Sequence, residues 1–66
     1  MYRKFEKLLE SHGVTAYRVA HATGISTSTF SGWKNGRSSP KLDKLKRIAD
    51  YFGVSISYFV EEENGD

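Results

Sequence analysis

Ten Lys and Arg side chains and two histidines are the groups in this 66-residue chain most able to bind a charged partner, and their placement is uneven. Every Lys and Arg lies at or before Arg47, whereas Glu61, Glu62, Glu63 and Asp66 close the chain. Ten cations against four carboxylates leave the body at +6, and the four terminal carboxylates set residues 61–66 at −4. A small body with that surplus attracts polyanions, nucleic acid among them. The same count also describes a solvated surface balanced by an acidic tail. Other reactive sets are missing. There is no Cys, and His12 and His21 cannot make a metal site alone, so they read as surface residues near helix ends. No Ser-His-Asp order, paired carboxylates or glycine-rich phosphate loop appears. The expectation is therefore a protein that is not an enzyme and has no metal, no cofactor and no evident small-molecule ligand.

The elements that must position those charges are short. A chain of this length fits one domain near the lower limit at which a core supports folding unaided, and residues 1–60 read as that domain, with 61–66 a flexible acidic tail or the start of a linker. Phe5, Leu8 and Leu9 recur at helical spacing until Gly13. Thr15 is placed to cap a second helix carrying Ala16, Val19 and Ala20, which Gly24 ends. Ser26 is placed to cap a third, through Phe30 and Trp33, that stops at Asn35-Gly36. Pro40 suits the first position of a fourth helix, whose stripe is Leu42, Leu45, Ile48, Ala49 and Phe52. Val54-Ser55 restarts a last helix with Ile56, Phe59 and Val60. The fold class is all-α, and no strand alternation competes. No apolar run approaches the ~20 residues of a membrane helix, and Met-Tyr-Arg-Lys-Phe-Glu lacks the apolar stretch of a signal peptide, so a cytoplasmic protein with no membrane partner is expected.

The stretch from Thr15 to Gly36 is the most selective. Ala20 lets another helix cross closely, Gly24 can take the positive φ of a sharp turn, and Ile25, Phe30 and Trp33 face inward. Trp33 shares its face with Phe30 and reads as core rather than as a stacking platform. This spacing suits a helix-turn-helix. With Val19-Ala20, Gly24-Ile25-Ser26, Trp33-Lys34-Asn35-Gly36, Pro40 and Leu45-x-x-Ile48-Ala49-x-x-Phe52-Gly53-Val54-Ser55, nearly the whole chain resembles the Cro/C1-type, or XRE-like, helix-turn-helix family of phage and bacterial transcriptional repressors.

The resemblance implies a compact five-helix, lambda-repressor-like domain in which the third helix enters the major groove of double-stranded DNA. Mapped onto this chain, Thr27, Ser28 and Ser31, with Gly32 on the same outward face, become the base-reading candidates. Taken alone, these residues merely cap and solubilise a helix start. Ala16, Tyr17, Arg18, Lys34, Arg37, Lys41 and Lys44 become candidates for backbone contacts, with helix N-termini at Ala16 and Lys41 offering N–H groups to anions; an ordinary wet surface is the alternative. Members of the family often carry Gln where Ala16 stands and long polar side chains at the reading positions. The short residues here shift readout toward close approach, bridging waters and DNA shape.

The family also implies a homodimer on two-fold half-sites, and Ile56, Tyr58, Phe59 and Val60 are the interface candidates, unless Ile56 and Phe59 simply finish the core. Tyr2, Tyr51 and Tyr58 read as rim or interface residues. The expected function is sequence-specific DNA binding by a bacterial or phage-encoded, nucleoid-associated repressor, either complete at this length or the N-terminal part of a longer protein. An antitoxin-like or regulatory protein-interaction module on the same scaffold is the alternative.

Overall fold

Phe5 has no exposed surface, and its ring meets those of Phe30 at 5.2 Å and Trp33 at 5.1 Å, both stacked, and Phe52 at 6.2 Å edge-on. The computed structural model describes residues 2–60; residues 61–66, where the acidic tail was expected, lie outside the described residues. Five helices follow in order: α1 (Tyr2–His12), α2 (Ala16–Thr23), α3 (Thr27–Lys34), α4 (Leu42–Phe52) and α5 (Ser57–Val60). Among the described residues there is no strand. α2 packs on both α3 and α4, and α1 packs on α5. The buried set is Phe5, Leu8, Val19, Ala20, Ile25, Phe30, Trp33, Leu45, Ile48, Ala49, Phe52 and Phe59, so four of the helices feed one cluster through period-3.6 stripes and α5 closes it with a single ring.

The helix ends explain the tight connections. Thr15 caps α2 as expected, its Oγ1 accepting from the Arg18 N–H at 3.2 Å. α2 stops at Gly24, at φ +76°, and the amides of Gly24 and Ile25 both donate to the Ala20 carbonyl, at 2.9 and 3.2 Å. The second of these bonds spans five residues and throws Ile25 back onto the core, which sets the sharp angle between α2 and α3. Five-residue bonds recur from Val14 to Leu9 and from Val54 to Ala49, so three connections share one stop signal followed by a buried or half-buried aliphatic residue.

The structure corrects several expectations. Ser26 sits at the start of α3 but makes no side-chain cap bond; its hydroxyl is paired with that of Ser28 at 2.7 Å. α4 begins at Leu42, not at Pro40, because extended Lys41 (φ −76°, ψ 172°) is the cap, its carbonyl accepting from Lys44 and Leu45. Leu42 is 65% exposed. As the first residue of α4, it has a side chain that leans toward the N-terminus, past the end of the neighbours it was expected to join. The last helix is also shorter than expected: Ile56 precedes it, and its first bonds are three-residue bonds from Tyr58 to Ser55 and from Phe59 to Ile56.

These placements predict a contrast. Phe5→Ala removes the shared ring and should cost about 3–5 kcal/mol, comparable to the whole stability of a domain this size, roughly 3–9 kcal/mol. Leu42→Ala should change stability by less than about 0.5 kcal/mol. Urea or thermal unfolding followed by circular dichroism checks both.

Candidate nucleic-acid interface

The two large rings of α3 decide which of its residues face out. With Phe30 and Trp33 at 4% and 5% exposure, the outward surface of the helix carries Thr27, Ser28, Ser31 and Lys34, and all four are exposed. Thr27, Ser31 and Lys34 stand at i, i+4 and i+7, on one line along that face. Tyr2 holds the seat from the other side, its ring edge-on to Trp33 at 5.3 Å and tilted against Phe5 at 5.5 Å.

Between the start of α2 and the middle of α3 lies an open hollow of about 380 Å³, lined by Tyr2, Ala16, Tyr17, Thr27, Phe30, Ser31 and Lys34. Five of the residues expected to touch DNA are thereby brought together. Tyr2, read from the sequence as a rim or interface residue, is half-buried instead against Phe5 and Trp33, in keeping with its spacing of three from Phe5 and seven from Leu9 on the inner stripe of α1. Burial, and then the Glu6 carboxylate, push its phenol above the ordinary tyrosine range. Tyr17 is 66% exposed, with its ring edge-on to His21 at 5.5 Å.

Gly32 departs from the expected reading face. It is half-buried on the flank of α3, and a Cβ placed there would lie 2.9 Å from Ser38 Oγ. Its carbonyl accepts from the amides of Arg37 and Ser38, at 2.9 and 3.3 Å. Gly32 therefore seats the loop after α3. That loop turns at Gly36, φ +76°, and Arg37 follows it, exposed, where the other connections place an aliphatic residue. The physical effect is to hold a cation beside the exit of α3.

The remaining cations divide. Lys41 and Lys44 flank a second hollow of about 350 Å³ between α3 and α4, which they share with Thr29, Ser38 and Asp43. Arg18 lies on another side, in a hollow of about 570 Å³ with His21, Ala22 and Tyr51, so only Tyr17 connects it to the α2–α3 hollow. Arg47, which nothing local singled out, donates from Nη1 to the Thr23 carbonyl at 3.4 Å and braces the end of α2 from α4.

At α5, Phe59 is fully buried and belongs to the core; of the four interface candidates it offers no surface, because its ring stands 6.2 Å from Trp33. Tyr58 is half-buried and tied to α1: Lys4 Nζ donates to its carbonyl at 3.0 Å and lies 4.5 Å above its ring. Ile56 is half-buried and Val60 is 48% exposed. Among the described residues no group of three His, Cys, Asp or Glu side chains could hold a metal ion, and no helix is long and apolar enough to cross a membrane.

Comparison with known proteins agrees with this geometry. The family model described as "Helix-turn-helix" matches residues 5–59, and the chain belongs to that family, the Cro/C1-type (XRE-like) helix-turn-helix proteins. It is 29% identical over 58 residues to the uncharacterised HTH-type transcriptional regulator YobD of Bacillus subtilis, covering 88% of this chain and 52% of that one. To the cryptic phage CTXphi transcriptional repressor RstR of Vibrio cholerae it is 27% identical over 59 residues, 89% of this chain and 53% of that one. The HTH-type transcriptional activator BcrR of Enterococcus faecalis is 27% identical over 60 residues, 91% of this chain and 29% of that one. The chain thus spans about half the length, or less, of these curated relatives. No solved structure matches it.

The turn that joins the two halves of the motif is testable. Gly24→Ala forces a side chain into the left-handed region at φ +76° and should cost about 1–2 kcal/mol although nothing crowds the site. Chemical unfolding measures it.

Proposed function

We propose that α3 lies in the major groove of a specific duplex site and that the protein represses transcription by occupying it. The observation that carries this reading is the exposed line of Thr27, Ser31 and Lys34, with Ser28 beside it, backed by buried Phe30 and Trp33. A helix held by two aromatic anchors presents its outward face without wobble, which is what reading base edges requires. Lys34 and Arg37 neutralise phosphates on either side of the helix exit, and Lys41 and Lys44 extend that line along the start of α4. Short hydroxyl side chains make direct readout modest and leave much of the specificity to DNA shape.

Repression needs only occupancy of a site, and one similar protein, RstR, is named a repressor; the activator BcrR shows that relatives of both signs exist. One α3 covers only a few base pairs, so two copies on half-sites about one turn, roughly 34 Å, apart form the working unit. Val60 and the exposed edges of Ile56 and Tyr58 supply the surface between them. The protein works in the cytoplasm, on the nucleoid.

Selection from random duplex DNA should return a short two-fold site; recovery of unrelated sequences at the same affinity would reject specific binding. Affinity should fall steeply with salt, and Arg37→Ala or Lys34→Ala should lower the slope of log K against log salt by about 0.9 each while weakening all sequences alike. An unchanged slope removes that residue from the backbone contacts. Sedimentation with a full site should show two protein copies per duplex, and one copy at saturation would reject the dimer.

A further inference from the structure

The hollow between α2 and α3 is apolar where a reading surface of this class is expected to be polar. Ala16 offers only a methyl group, Tyr17, Phe30 and Tyr2 contribute rings, and Thr27, Ser31 and Lys34 complete a lining that is mostly apolar. The hollow exists because residue 16 is Ala: a longer side chain at the first position of α2 would fill the space in front of Thr27. An apolar recess on a cationic, groove-facing surface has one complement among base-pair edges in the major groove, the C5-methyl group of thymine, which the other bases lack.

We infer that this hollow receives a thymine methyl group and is the main source of direct base selectivity in each half-site, with Ala16 and Thr27 as the specificity-determining residues. The inference rests on the DNA-binding reading above. Its occupant is set by charge and shape together: Lys34 and Arg37 hold the phosphate backbone close, while the recess beside them excludes water only when a methyl group enters. Hydroxyl readout by Ser28 is weaker in comparison, because its Oγ is already paired with that of Ser26 at 2.7 Å.

The test uses the wild-type protein and duplexes built on its selected site, with each dT replaced singly by dU. That replacement removes the methyl group and keeps every hydrogen-bonding edge. One dT per half-site should bind about fourfold more weakly as dU, the factor that burying one methyl group represents. Ala16→Gln, which fills the hollow, should bind dT and dU at that position equally. The inference is overturned if no dT responds, or if Ala16→Gln keeps the full discrimination. In either of those cases a steep salt dependence and a defined site would leave the DNA-binding reading standing, whereas salt-independent binding or no binding to any duplex would remove both.

Discussion

The stacking of Phe5 on Phe30 and Trp33 is the contact on which the rest of the structure depends. One ring from α1 fills the space beneath α3 and reaches Phe52 on α4, so three helices are registered against a single side chain. In a domain of this size there is little other core to compensate. The rotation of α3 follows from it: with two anchors three residues apart turned inward, the outward residues are determined by the helical repeat alone. The identity of the outward side chains is thus a consequence of packing on the far side of the helix.

Two kinds of side chain divide the work at the surface that results. The outward face of α3 carries small hydroxyl residues, and the charges sit at its exit and along the start of α4. In the proposed complex, long-range attraction and phosphate contacts would supply affinity and register, while the short residues would let the helix backbone approach the base edges closely. Gly32 contributes by a different route. Its carbonyl gathers the amides of Arg37 and Ser38, and its missing Cβ leaves room for Ser38, so the loop bearing Arg37 is folded against α3. A glycine that weakens the helix locally here improves the placement of a cation.

The scaffold was legible in the sequence because its signals are local. Thr15 lies three residues before the amide it caps, Gly24 and Ile25 mark a backbone turn with few alternatives, and Phe30 and Trp33 follow the repeat of their own helix. What was not legible depended on geometry between segments. Leu42 fits the stripe of α4 but begins the helix, and only the position of the cap reveals that its side chain has nothing to cover it. Gly32 sits next to the reading positions in a helical projection, yet the returning loop claims its flank. For Phe59 the sequence left both a core and an interface role open, and the choice is made by packing on α1 and α3. The Arg47 bond to Thr23 links residues 24 apart, with no local signature. Family resemblance named Ala16, Tyr17, Thr27, Ser31 and Lys34 each as a candidate contact, but the hollow they form with Tyr2 is a property of the packed helices.

The account turns on the exposed surface of α3, with the start of α2 beside it, being the one that meets DNA. The most direct measurement is an amide chemical-shift map of the protein titrated with its selected duplex. The largest changes are predicted at Ala16, Tyr17, Thr27, Ser28 and Ser31, with Arg37 beside them and little change along the outer surface of α4 around Tyr51. Changes concentrated at Arg18, His21 and Tyr51 instead, with α3 silent, would contradict it.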